Sequence, residues 1–521
     1  RLPGGAGGGA GTLATGDKGS IPEGDADAMR RAGLAHLLAV SGLHLSAVVG
    51  TVMLVVTRLL ALSPWLALRT RLPLVAAGAG AVAAIGYTLL TGAAVPTIRA
   101  CVAALLVLAA IVMGRQALTL RLVATGALIV LLLYPESITG PSFQLSFAAV
   151  TTIVALHEHP GMRRWFGARE EPRWRRIARG LLSLLFTGLA VELTLMPIAL
   201  YHFHKAGIYG ALANVAAIPL TTLIVMPLEA VSLLFDGIGL GAPVWWLTRH
   251  ALDLLLWIAH TTANAPGSVA MLPSMPGGAY ALMVAGGIWS ALWRTRWRRL
   301  GMVPLAIGAV WAAITPAPDL LVTGDGRHAA LRTIDGGMAL LRDRTGDYTA
   351  DMMAENGGID DLPVLLSDQP NARCSRDACI ADRKTGTRTW RILATRSSYM
   401  VPADQLAQAC SGVDIVISDR RLPRGCTPRW LRLDSAALAT TGGVAITLGA
   451  VPSVRTVRET GDEHPWVSAP RSERHGGQRS AWAGGRHSPW HAGDGAKPPS
   501  GDRRSDPPTR RRRDERPPPA Q

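Results

Sequence analysis

Charge is what this sequence is short of. Only 17% of its 521 residues are charged and 49% are hydrophobic, where an ordinary soluble domain carries about 25% charged residues. The shortage is uneven: residues 35–315 are mostly apolar and the remainder is polar. That excludes a single soluble globule and requires a membrane part and a soluble part. Cysteine is also scarce, with five in all and no CxxC pair, which weighs against a zinc ribbon or a redox motif. No cleavable signal peptide is visible. The chain opens at Arg1 with a flexible, uninformative 1–34 segment, and an N-terminal part is expected to be missing. The net charge of +16 is almost all arginine, divided between loops and tail, so it is only weak support for a nucleic-acid partner.

Ten apolar segments are present, at about 35–57, 72–91, 93–113, 119–134, 138–158, 181–200, 211–235, 244–264, 279–293 and 300–316, on hydrophobic periodicity and run length. The expected fold is mainly α, a polytopic membrane protein of about 8–10 transmembrane helices over 35–316. A small α/β or mixed β domain follows at 320–457. The loop GMRRWFGAREEPRWRRIARG carries seven arginines against two glutamates and belongs in the cytoplasm by the positive-inside rule. Counting outward, Arg294, Arg296, Arg298 and Arg299 fall on the same side, as do Arg115 with Arg121 and the group Arg58, Arg69 and Arg71. This parity puts the N-terminus and everything after residue 316 outside the cytoplasmic membrane.

Four of the cysteines, Cys374, Cys379, Cys410 and Cys426, lie in the soluble domain. An even number outside the cytoplasm suits disulfides. Sequence proximity favours Cys374–Cys379 and Cys410–Cys426, although four cysteines allow three pairings; a zinc site, at C-x4-C and C-x15-C spacing, is the weaker rival. Cys101 reads as a small buried residue. Residues 468–521 are rich in Pro, Gly, Ser and Arg with almost no aliphatics, so they cannot bury a core and are expected to be disordered.

Several stretches resemble one family. TGDKGSIPEGDADAMRRAGLAHLLAVSGLHLSAVVG (15–50) is similar to the signature of the ComEC competence proteins, the inner-membrane channels for DNA uptake in transformable bacteria. PTIRA (96–100), PSFQLSFAA (141–149) and ELTLMPIALYHFHKAGIYGALANVAAIPLTTLIVMPL (192–228) resemble later parts of the same domain in the right order. The resemblance, over about 15–265, implies conduction of single-stranded DNA into the cytoplasm during transformation. It also implies a multi-pass location in the bacterial inner membrane. The implied partners are the lipid bilayer, a periplasmic DNA receptor and cytoplasmic DNA-handling proteins, with a homo-oligomer as a further option. Many members begin with membrane segments and an OB-like domain that this sequence lacks. Many also end in a domain resembling the metallo-β-lactamase fold, and VTGDGRHAALRTIDGGMALLRD resembles its opening strands. No HxHxDH run follows, and His328 is the only histidine between 320 and 457. Metal hydrolysis needs several converging ligands, so no metal, cofactor or enzyme activity is expected. The outer domain is either a degenerate relative or an unrelated cap.

A DNA strand needs a wet, polar path through about 30 Å of hydrocarbon, with donors, positive charge and room for bases. His36, Ser41, His44, Arg99 and Gln144 are the candidates for that path. Ser41 and His44 share a helix face three residues apart, and Gly42 between them permits a close approach or a break. Arg99 reads as a phosphate contact or a structural ion pair, and Gln144 as structural glue more than lining. Glu192 and Asp253 read as structural, pairing with Arg99 or another cation. His202 and His204 read as an interfacial pair at an outer helix end. Pro197 and Pro219 mark segments open to bending. Two rival functions use the same residues. One is a small-ion or metabolite transporter; the other, less favoured, is an intramembrane hydrolase with Ser41 as nucleophile and a histidine as base, for which no orienting acid is evident.

Overall fold

The structure is a computed structural model that describes residues 4–15, 19–38, 42–116, 119–167, 170–397 and 399–458. Ser41 and the 468–521 tail lie outside the described residues.

Apolar runs without charged interruption fold as helices because only a helix satisfies its own backbone away from water. The series is α1 (Gly4–Thr15), α2 (Glu23–Arg31), α3 (Gly42–Ala61), α4 (Pro64–Arg69), α5 (Leu72–Leu90), α6 (Val95–Val112), α7 (Leu120–Leu133), α8 (Pro141–Glu158), α9 (Pro160–Phe166) and α10 (Arg173–Phe203). After a short strand β1 (Lys205–Gly207) come α11 (Gly210–Leu220), α12 (Met226–Asp236), α13 (Ala242–Ala263), strand β2 (Val269–Met271), α14 (Gly277–Leu292) and α15 (Met302–Ile314). Every one of the ten apolar segments coincides with a helix. Five helices among the described residues are long and apolar enough to cross a membrane: α3, α5, α6, α10 and the run Gly210–Asp236, which joins α11 to α12 through a π-turn at Thr221–Val225. The remaining apolar segments miss that measure through length or polarity. With 14 and 16 residues, α7 and α14 reach about 21 and 24 Å at 1.5 Å per residue, short of a hydrocarbon layer of about 30 Å. Helix α13 is long enough but carries Arg249, Asp253 and His260. Leu132 and Leu223 are over 70% exposed, and large apolar side chains cover the outer faces of these helices, as lipid contact requires. The chain is a membrane protein.

The C-terminal region is built on two sheets. Strands β3 (Leu320–Val322), β4 (Ala329–Arg332), β5 (Met338–Leu340), β6 (Val364–Leu365), β7 (Ala372–Cys374), β8 (Ala378–Thr385), β9 (Arg388–Thr395), β10 (Ile415–Ile417), β11 (Leu431–Leu433), β12 (Val444–Thr447) and β13 (Ser453–Thr456) alternate with helices α16 (Asp347–Gly357), α17 (Ala403–Ser411) and α18 (Ser435–Thr441). One sheet runs β13-β12-β3-β4-β5-β6 and the other β11-β10-β9-β8-β7. Leu320, Val322 and Leu331 of the first meet Trp390, Ile392 and Ile415 of the second in one core. The outer faces are covered separately, with Met353 of α16 against Leu321, Ala330 and Met338 and Cys410 of α17 against Leu393 and Val416. This makes a mixed β sandwich flanked by helices. Disulfides join Cys374 to Cys379 and Cys410 to Cys426, while Cys101 is free and buried.

Ion pairs tie this sandwich to one end of the helical region. Arg31 grips both carboxylate oxygens of Asp360, at 2.5 and 2.6 Å, and Lys205 bonds Glu355 at 2.5 Å. At the far end, Arg294 pairs with Glu158.

Candidate functional site

Of the polar residues nominated from the sequence, His36, His44, Arg99 and Gln144 lie at the helix ends that face the sandwich. Gly33 makes this possible. It sits at φ +71°, and a Cβ there would lie 2.8 Å from the Cα of Gly210. A Cβ on Gly207 would meet the Arg31 carbonyl oxygen, also at 2.8 Å. The turn after α2 therefore lies backbone to backbone against the start of α11. Glu192 of α10 closes that junction by accepting the N–H groups of Gly210 at 3.0 Å and Ala211 at 2.6 Å. The donors are first-turn amides that lack intrahelical partners. Glu192 is thus a cap for α11 and not a partner of Arg99. Asp253 pairs with Arg249 on its own helix.

His36 follows in a single 3-10 turn, Ala35–Leu38. Its side chain is exposed. His44, at the start of α3, is fully buried and close enough to His36 to interact electrostatically.

Arg99 and Gln144 form a second group, joined through the first turn of α8. Arg99 is 7% exposed, and its Nη2 donates to both the carbonyl oxygen and the hydroxyl of Ser142 at 2.9 Å. Its Nε and Nη1 are buried with no hydrogen-bond partner among the described residues. Gln144 is more fully engaged. Its Nε2 donates to the Ile138 carbonyl at 2.9 Å, and its Oε1 lies 2.7 Å from both His202 Nε2 and the Tyr280 hydroxyl. Tyr280 stacks on Tyr201 at 4.1 Å. This network ties α8, α10 and α14 together, so Gln144 acts as interhelical glue. His204 caps α10 at φ +59° with Nδ1 3.2 Å from the Leu272 carbonyl oxygen. Neither member of the His202/His204 pair is a free surface group. Pro197 lies within an unbroken α10, whereas Pro219 precedes the π-turn. No hydrogen bond among the described residues links the His36–His44 group to the Arg99–Gln144 group.

Sequence reasoning passed over Glu229 of α12. It is 6% exposed, its Oε1 has no hydrogen-bond partner among the described residues, and Tyr87 of α5 lies within electrostatic range. Thr221, fully buried in the π-turn, also has a hydroxyl without a hydrogen-bond partner among the described residues. A lone acid in the apolar run LEAVS was the available signal, and π-turns often mark functional positions.

The comparison with known proteins is decisive at the level of family: the Competence protein family model matches residues 13–297. The chain belongs to this family. Its relatives include the uncharacterized protein YcaI of Escherichia coli (strain K12), 29% identical over 47% of this chain and 32% of the relative. Competence protein ComA of Neisseria gonorrhoeae is 27% identical over 63% of this chain and 43% of its own length. ComE operon protein 3 of Bacillus subtilis (strain 168) is 25% identical over 48% and 29%. The chain thus spans between about a quarter and under half of the curated relatives it matches. No solved structure matches it. The matched region contains His36, His44, Arg99, Gln144, Glu192 and Glu229, and it ends before the sandwich.

A metal centre of the kind the metallo-β-lactamase resemblance would imply does not fit the sandwich. Among the described residues no three His, Cys, Asp or Glu side chains come together as an ion requires. His328, after β3, has arginines for neighbours. Burial foremost, with Arg342 and Arg327 adding to it against the opposing pull of Asp325, holds its imidazole below the ordinary range.

Proposed function

We propose that this chain takes part in DNA uptake during natural transformation, conducting a single strand through the bacterial inner membrane into the cytoplasm. The observation that carries the reading is Arg99: a buried cation at the sandwich-facing end of the helices, with two donors unspent. Leaving such donors unmade costs about 1–3 kcal/mol each, and an anionic backbone passing the site would satisfy them. Membership of the Competence protein family, and relatives named for competence, support the same reading. In this proposal the sandwich is extracytoplasmic, as the arginine parity of the loops favours, and no step of chemistry is assigned to the chain. A periplasmic DNA receptor, cytoplasmic DNA-handling proteins and self-association are the partners it calls for.

The test is genetic. Deleting the gene should abolish transformation while surface binding of labelled DNA persists. Wild-type transformation in the deletion strain would end the proposal. Loss of surface binding together with uptake would move the role to capture.

A further inference from the structure

A run of Arg-Trp-Arg-Arg followed by an aliphatic residue occurs twice in the chain, as RWRRI at 173–177 and RWRRL at 296–300. The structure puts both copies at the same end of the helices. Helix α10 finishes just before Lys205, which pairs with Glu355 of the sandwich, so its start lies at the far end. Tyr201 near the finish of α10 stacks on Tyr280 near the start of α14. Helix α14 therefore runs the other way, and its exit also reaches the far end. The first copy opens α10, and the second forms the 3-10 turn Arg296–Gly301 between α14 and α15.

Neither copy is neutralised or covered from within. Among the described residues, Arg173, Arg175, Arg176, Arg296, Arg298 and Arg299 make no ion pair. The acids Glu171 and Glu158 are taken by Arg179 and Arg294, and no acid stands in the first turn of α10. Three guanidiniums crowded into each copy repel one another, a cost that an anion offsets. Trp174, Ile177, Trp297 and Leu300 are each more than half exposed. Both copies are nonetheless held in place. Arg179 donates to Glu171 at 2.8 Å across the start of α10, and Arg175 lies over the Trp174 ring at 5.1 Å. Trp289 Nε1 donates to the Trp297 carbonyl oxygen at 2.9 Å, and the Trp293 ring stacks with that of Trp297.

The occupant that satisfies both features is anionic at one end and apolar at the other. A soluble anion would offset the arginines and leave Ile177 and Leu300 in water. A lipid meets both, with its phosphate on the guanidiniums, which match phosphate oxygens in a planar, two-pronged fashion, and its acyl chains on the aliphatics. Tryptophan rings favour the boundary between the two. Length places the first copy there. Helix α10 has 31 residues, about 46 Å at 1.5 Å per residue, and a bilayer measures about 40–45 Å with its headgroups included, so the first two turns lie among headgroups. Its apolar outer face continues through the exposed Leu181, Leu182 and Phe186 into the lipid-facing surface of the span. We propose that each RWRR copy binds the headgroup of an anionic glycerophospholipid, its arginines on the phosphate and its tryptophan and aliphatic residue at the top of the acyl chains. Net negative charge is part of the fit, because a choline headgroup would bring a cation of its own to three unpaired arginines. The site depends on the chain lying in a bilayer and not on what the helices conduct.

The experiment titrates the full chain in dodecylmaltoside with dioleoylphosphatidylglycerol or dioleoylphosphatidylcholine and reads bound lipid by native mass spectrometry. Phosphatidylglycerol should bind at least about fivefold more tightly than phosphatidylcholine, the worth of one arginine at an anionic surface. Arg175→Gln/Arg176→Gln/Arg296→Gln/Arg299→Gln should remove at least about fivefold of the phosphatidylglycerol affinity and leave phosphatidylcholine within about twofold. Arg58→Gln/Arg71→Gln/Arg115→Gln/Arg121→Gln takes the same charge from exposed positions outside the two copies and should shift either lipid less than about twofold. Should the first quadruple variant fail to fold, Arg175→Gln/Arg299→Gln, one change per copy, is expected to lower phosphatidylglycerol affinity at least about twofold. Unchanged phosphatidylglycerol binding in the RWRR variants would overturn the proposal, as would an equal loss in the control. Displacement of the lipid by millimolar inorganic phosphate would reassign the arginines to a soluble anion, and displacement by dT20 would reassign them to a nucleic-acid strand; either result overturns the lipid site. Transformation is not the readout, so failure here is distinct from failure of the uptake reading.

Discussion

Arg99 gives the sharpest test because its stability balance and its proposed role point in different directions. Arg99→Met keeps a long apolar stem and removes the guanidinium. The substitution deletes the pair of Nη2 bonds to Ser142, both 2.9 Å; hydrogen bonds to a charged group contribute about 1.5–3 kcal/mol each, or about 3–6 kcal/mol together. What is relieved is of similar size. A buried ion costs several kcal/mol in desolvation, and unmade donors at Nε and Nη1 add about 1–3 kcal/mol each. The unfolding free energy of Arg99→Met should therefore stay within about 2 kcal/mol of wild type. Tryptophan-fluorescence melts in nanodiscs, with 15 tryptophans as reporters, measure it. Transformation frequency at matched protein level should fall at least about tenfold, the equivalent of removing one charge-assisted hydrogen bond to the strand. Arg99→Lys keeps the charge without the fork and should fall between. A large loss of stability with undiminished uptake would refute the reasoning and make Arg99 a structural tie.

Three further outcomes follow from the same geometry. Glu192→Ala strips both acceptor oxygens from the buried first turn of α11 and should cost about 2–4 kcal/mol, with Glu192→Gln recovering part; an unshifted melt would remove its capping role. Asp434 caps α18, and burial alone would raise its carboxyl, but hydrogen bonds from the Ala437 N–H, Arg432 and the Leu422 N–H hold it below the ordinary carboxylate range. Its contribution is complete above the unfolded value of about 3.9 and is lost as pH falls through the depressed folded value. Acid titration of Asp434→Asn should accordingly show a shallower loss of stability below pH ~4 than wild type. The Cys410–Cys426 disulfide spans 16 residues and Cys374–Cys379 spans 5, so loop entropy predicts losses of about 3 and 2 kcal/mol for the two double serine variants; a larger loss for the short loop would contradict this ordering.

Hydrophobic run length and arginine placement are local properties, so the sequence by itself determined that ten segments are helices, and the ordered motifs from HLLAVSGLH to the π-turn region determined the family. The C-terminal region was also anticipated as a small α/β or mixed β domain with its cysteines paired by sequence proximity. Partner choice is not local. Gln144 meets His202 and Tyr280 from 58 and 136 residues away, and Glu192 turns from Arg99 to the amides of α11. Four separate connections bring Arg327, Arg342, Arg344, Arg376 and Arg396 together at one end of the sandwich. Only the tertiary structure decided these, because a buried polar group takes whichever partner packing brings within about 3 Å, and no spacing along the chain encodes that distance. Helix ends were decided in the same way: α7 and α14 stop at 14 and 16 residues, boundaries that composition alone does not mark.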